Sequence, residues 1–133
     1  MSYDLMVFDA AKAPRDRTEF LAWYREIVTW KTVSEKEGLS PNLRRFYDLF
    51  VEKYPPMNGP DAAPLEGIDE PEVTDYSLTP EAIYLSFSWS VADSAYRDCV
   101  NAGLTAGVGF FDVSADDGAV LYAAGDYDRL MGL

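Results

Sequence analysis

One stretch constrains the fold of this chain more than any other: Ala82-Ile83-Tyr84-Leu85-Ser86-Phe87-Ser88-Trp89. In an extended strand Ile83, Leu85, Phe87 and Trp89 fall on one face, and Ala82, Tyr84, Ser86 and Ser88 on the other. This period-2 alternation of β-branched and aromatic residues cannot form a helical stripe. The stretch reads as the central strand of a sheet, with helices on its heavier face.

The other elements follow along the chain. Ser2–Phe8 reads as a first strand, with Tyr3, Leu5 and Val7 alternating with Asp4 and Met6. Pro14 opens a helix, where a missing N–H costs nothing, and Asp16 and Glu19 suit its positive end. Phe20, Trp23, Tyr24, Ile27 and Trp30 then recur at helical spacing, as a core stripe does. Lys31–Gly38 is polar and reads as loop. Ser40-Pro41 restarts a helix as N-cap and first residue, and Leu43, Phe46, Tyr47, Phe50 and Val51 form its buried face. Arg44 and Arg45 lie off that stripe, towards solvent.

Pro55-Pro56-Met57-Asn58-Gly59-Pro60 ends this helix and opens an irregular segment to about Val73. A loop this long is either functional or mobile. Val73–Leu78 forms a strand that turns through Thr79-Pro80-Glu81 into the stretch above. Ser90-Val91-Ala92-Asp93 resembles a capping box, and Ala92, Ala95, Tyr96, Cys99, Val100 and Leu104 continue as a helix ended by Gly107. Val108–Ser114 is the next strand, and Asp117-Gly118 turns it into Ala119–Ala123. The tail from Gly125 packs as a helical turn through Leu130 and Met131.

The expected class is therefore α+β, a single domain over residues 1–133 with order β-α-α-β-β-α-β-β. The sheet should hold about five strands, mostly antiparallel, in two layers with helices on one face. Strand order is left open.

With 48% of residues hydrophobic and 14% aromatic, the chain can bury a core. No segment reaches the roughly 20 apolar residues that span a bilayer, and Leu5-Met6-Val7-Phe8 is too short for a secretory signal. The expected setting is cytoplasmic. A lone cysteine, Cys99, excludes an intramolecular disulfide and reads as a small buried hydrophobe. With no histidine, the chain lacks the commonest general base and transition-metal ligand.

The net charge of −12 is unevenly spread. Residues 1–53 carry 9 acidic and 9 basic side chains, whereas residues 54–133 carry 14 acidic and 2 basic. Such a surface repels nucleic acid and anionic lipid and attracts a basic protein partner. Solubility alone is the plainer account of the same acidity.

Candidate chemistry is confined to carboxylates. Asp112, in an aromatic strand beside Asp116 and Asp117, could act as a general acid with a raised pKa, or could simply tie the turn to the sheet. Asp112-x-x-x-Asp116-Asp117-Gly118 lacks the alternating ligands and closing Glu of a calcium loop. No cofactor or metal is expected. The segment from Asp61 to Asp75 suits protein recognition: Glu66, Asp69, Glu70, Glu72 and Asp75 offer charge, Met57 an apolar centre and Asn58 a polar neighbour. Asp116 and Asp117 extend that set.

Ser2-Tyr3-Asp4-Leu5-Met6-Val7-Phe8, Phe20-x-x-Trp23-Tyr24, Pro55–Pro60, Thr74-Asp75-Tyr76-Ser77 and Gly107–Ser114 together resemble a family of small acidic bacterial proteins. That family is similar in turn to the immunity partners of bacterial antagonistic toxins. The resemblance implies an inhibitor that binds a cognate toxin in the cytoplasm and occludes its active site. It supplies no catalytic residues. Three readings stand: such an inhibitor, a non-catalytic housekeeping or structural domain that could pair with itself as a homodimer through an exposed sheet edge or face, and a carboxylate enzyme using Mg²⁺ with Asp112 at its centre.

Overall fold

The computed structural model describes residues 2–29, 35–57, 59–67 and 70–130. Five strands, β1 (Tyr3–Phe8), β2 (Asp75–Thr79), β3 (Ala82–Phe87), β4 (Gly109–Phe111) and β5 (Val120–Leu121), form one sheet in the order β2-β3-β1-β4-β5. Every neighbouring pair is antiparallel. Four helices, α1 (Arg17–Ile27), α2 (Pro41–Phe50), α3 (Ala92–Ala106) and α4 (Ala124–Leu130), complete the α+β fold in the expected order. Both expected hairpins form, β2 with β3 and β4 with β5.

The middle of the sheet is β1 rather than the alternating stretch. Leu5, Met6, Val7 and Phe8 are all buried, whereas Tyr84 and Ser86 on the outer face of β3 are half-buried. A strand covered on both faces is a continuous apolar run, and an alternating one keeps a wetter face. Leu5-Met6-Val7-Phe8 carried that signal.

The helices also divide between the two faces. On one, α2 and α3 cover Leu5, Val7, Ile83, Leu85 and Phe87, and Tyr127 of α4 joins that core. Phe46 stacks on Phe50 at 5.0 Å and Phe50 on Tyr54 at 4.5 Å, pairs that contribute about 0.5–1.5 kcal/mol each beyond their buried area. On the opposite face, Phe20 of α1 packs with Met6, Phe8, Ala82 and Phe111. The single-face expectation fails here because the apolar run of β1 leaves Met6 and Phe8 in need of cover, and the Phe20-Trp23-Tyr24 stripe supplies it.

Local signals hold at some helix ends and not at others. Asp16 caps α1 through the Glu19 N–H at 3.0 Å, so Pro14 lies upstream of the helix rather than opening it. Pro41 is the first residue of α2, but the Ser40 hydroxyl makes no capping bond. The capping box at Ser90 is replaced by a 3₁₀ turn, Trp89–Val91, in which Ser88 accepts from the Ser90 N–H. Gly107 does end α3, with φ +77° in the left-handed region and its N–H returned to Gly103. Gly109 lies opposite Phe8, where a Cβ would meet the Phe8 ring at 2.2 Å. Lys36–Gly38 forms a 3₁₀ turn within the expected loop. Trp30, Lys31–Ser34 and Met131 lie outside the described residues.

Candidate functional site

Antiparallel pairing brings the start of β1, the start of β2, the end of β3 and the end of β4 to the same end of the sheet. That end carries most of the residues singled out from the sequence. At about 4.8 Å between strands, β2 and β4 stand roughly 14 Å apart.

On the β2 side, the loop that follows α2 is closed at its base by backbone bonds. Met57 N–H donates to Thr74 C=O at 2.8 Å, Thr74 N–H to Pro55 C=O at 2.9 Å, and Ala63 N–H to Pro56 C=O at 2.9 Å. Proline rings preset the chain here, and Val73 and Thr74 are buried beneath it. Asp61 is committed to this framework. Its carboxylate accepts from Lys36 at 2.9 Å and from the Tyr47 hydroxyl at 2.9 Å, and these bonds hold its pKa below the usual value of 3.8.

Between loop and sheet lies a groove of about 560 Å³. Met57, Glu70, Pro71, Val73 and Asp75 form its loop side. Ser2, Ser86, Phe87, Ser88 and Ser90 form its sheet side. Three of the recognition residues, Met57, Glu70 and Asp75, thus meet in one place. Met57 is 46% exposed, and Glu70 is also exposed. Neither the Glu70 nor the Asp75 carboxylate has a hydrogen bond or ion pair among the described residues.

The remaining expected residues are placed differently. Glu66 is exposed in a 3₁₀ turn and Glu72 half-buried, and neither lines the groove. Asn58 and Asp69 lie outside the described residues. Asp116 and Asp117 occupy the β4–β5 turn on the far side of this end, and Asp117 pairs with Arg17 at 3.3 Å. Arg17 also donates to Gly118 C=O at 2.9 Å, fastening the turn to α1. Asp112 is half-buried. Burial raises its pKa, and a bond from the Ala115 backbone partly offsets the rise. That bond ties the turn to the strand, and Ser114 Oγ accepts the Asp4 N–H at 2.8 Å in the same corner.

Two contributions were missed from the sequence. Trp89 was assigned to the apolar face of the strand, but β3 stops at Phe87 and Trp89 opens the following turn. Its side chain is 52% exposed, with its ring 5.1 Å from that of Tyr3. The second is the row Ser86, Ser88 and Ser90: the first two read as the polar side of a strand and Ser90 as part of a capping box, but all three line the groove.

The arrangement offers carboxylates, hydroxyls and exposed apolar side chains. Among the described residues no group of three or more acidic or cysteine side chains is arranged to hold a metal ion, and no helix is long and apolar enough to cross a membrane. No known protein family, curated protein or solved structure matches the chain.

Proposed function

We propose that this protein binds a basic protein partner through the acidic end of its sheet, as an inhibitor of the immunity type that occludes the active site of a cognate toxin in the cytoplasm. One observation carries the reading. A large apolar side chain, Met57, stands exposed beside carboxylates, Glu70 and Asp75, that have no cation of their own among the described residues. Aromatic and methionine anchors inside a charged rim are the composition of protein-recognition surfaces. The charge asymmetry agrees, because the half of the chain that builds this end holds 14 acidic and 2 basic residues. Opposite charge on a partner speeds encounter and fixes its orientation.

Reversing Glu70, Glu72 and Asp75 together to Lys should slow association with the partner by about tenfold at low salt, with a smaller effect at high salt. The partner is first captured from native lysate on the tagged protein, then purified, and its kinetics are followed by surface plasmon resonance. Association that is unchanged by the triple reversal, or a protein that captures nothing basic and elutes alone, defeats this reading. A dimer eluting alone would point to the non-catalytic homodimeric domain.

A further inference from the structure

The walls of the groove differ in chemistry along its length, and this specifies more than a general attraction to basic proteins. Met57, Val73 and Phe87 give it apolar sides, and Glu70 and Asp75 place anionic groups beside them. Serine hydroxyls of Ser86 and Ser88 add acceptors, and no basic side chain lines it among the described residues. Some carboxylates are neutralised within the chain: Asp61 by Lys36, Asp98 by Lys53, and Asp48 by Arg44. Glu70 and Asp75 are left without a cation among the described residues, at a hollow that a foreign side chain can enter.

We propose that this groove receives an arginine side chain of the basic partner, an inference that rests on the binding function above and names its anchor. The arginine stem lies against Met57 and Val73, and its guanidinium faces Glu70 and Asp75. Arginine fits better than lysine. A planar, delocalised, weakly hydrated guanidinium can donate to two carboxylates at once and lie flat against an apolar wall, whereas an ammonium is a compact, strongly hydrated point charge. An anion is repelled by the carboxylates, and a purely apolar side chain would leave them without a partner.

Agmatine, a guanidinium on a four-carbon stem, is the probe. It is titrated into ¹⁵N-labelled protein at low salt, with guanidinium chloride and butylamine as controls for the head group without a stem and the stem with an ammonium. Agmatine should shift the amides of Met57, Val73, Asp75, Phe87 and Ser88 together, saturating at millimolar concentration, and each control should shift them several-fold less. The double variant Glu70→Gln/Asp75→Asn, checked for an unchanged fold by its dispersed spectrum, should weaken agmatine by about fivefold. Met57→Ala, at an exposed position, should weaken it by about twofold and leaves the test intact if the double variant misfolds. Shifts spread over the whole acidic surface, equal responses to agmatine and guanidinium chloride, or unchanged affinity in these variants would each overturn the inference. The binding function fails separately. A partner that still binds in a salt-dependent way but is not competed by agmatine removes the groove and keeps the function.

Discussion

Tyr54 is fully buried and donates its hydroxyl proton to Asp98 at 2.7 Å, while its carbonyl accepts from the Tyr76 hydroxyl at 2.7 Å. Burial pushes the Tyr54 phenol up to about 12, so it remains a donor throughout the neutral range. Burial works against ionisation of Asp98, but hydrogen bonds from Lys53 and Tyr54 outweigh it and hold its pKa below 3.8. Tyr54→Phe should therefore cost about 1–2 kcal/mol in urea denaturation, because Asp98 loses a donor in a partly buried place. Asp98 and Asp61 both have lowered pKa values in the folded state. Their contribution is present above the ordinary value of 3.8 and is lost as pH falls through the depressed folded values. Asp112 has the opposite sign: its raised pKa means that the fold disfavours the ionised form above that pKa. Asp112→Asn keeps an acceptor for Ala115 and should stabilise at pH 7 by a few tenths of a kcal/mol, discounted for partial exposure. The gain should vanish below the ordinary carboxylate value. A loss of stability at pH 7 would show that the ionised form is required.

At the scale of elements, the turn from α3 into β4 depends on two glycines for different reasons. Gly107→Ala would place a Cβ on a left-handed backbone and should cost about 1 kcal/mol. Gly109→Ala would collide with the Phe8 ring, and because that ring also packs on Phe20 at 5.1 Å, relief must propagate into α1. Its cost should be about 1–3 kcal/mol by thermal denaturation, larger than that of Gly107→Ala. Reversal of that order would mean that α1 yields easily. The helical stripe of α1 was legible from Phe20, Trp23 and Tyr24, but the face it covers was not. Periodicity shows that a helix has an apolar side, and both sides of a sheet can receive it. The end of β3 was misjudged for a related reason. The alternation continues through Ser88 and Trp89, but pairing stops at Phe87, where β1 supplies its last partner, Tyr3.

Across the whole molecule, the acidic second half is distributed by the sheet and not by the sequence alone. Some of its carboxylates fasten the fold internally, as Asp61, Asp98 and Asp126 do. Others, Glu70 and Asp75, are gathered at one end with Met57, Ser88 and Ser90. The charge-reversal and agmatine experiments test whether that gathering binds a partner. The amino-acid sequence by itself determined the class, the order of elements, both hairpins, most of the buried residues and the acidic bias, because alternation, helical spacing, turn residues and charge are local properties of the chain. The tertiary structure alone decided that β1 is central, that α1 covers the opposite face from α2 and α3, that Trp89 is exposed, and which carboxylates remain unpaired. Those outcomes depend on strand order and on contacts between residues far apart in the chain, such as Lys36 with Asp61 and Met57 lining one groove with Ser88. No local pattern encodes them.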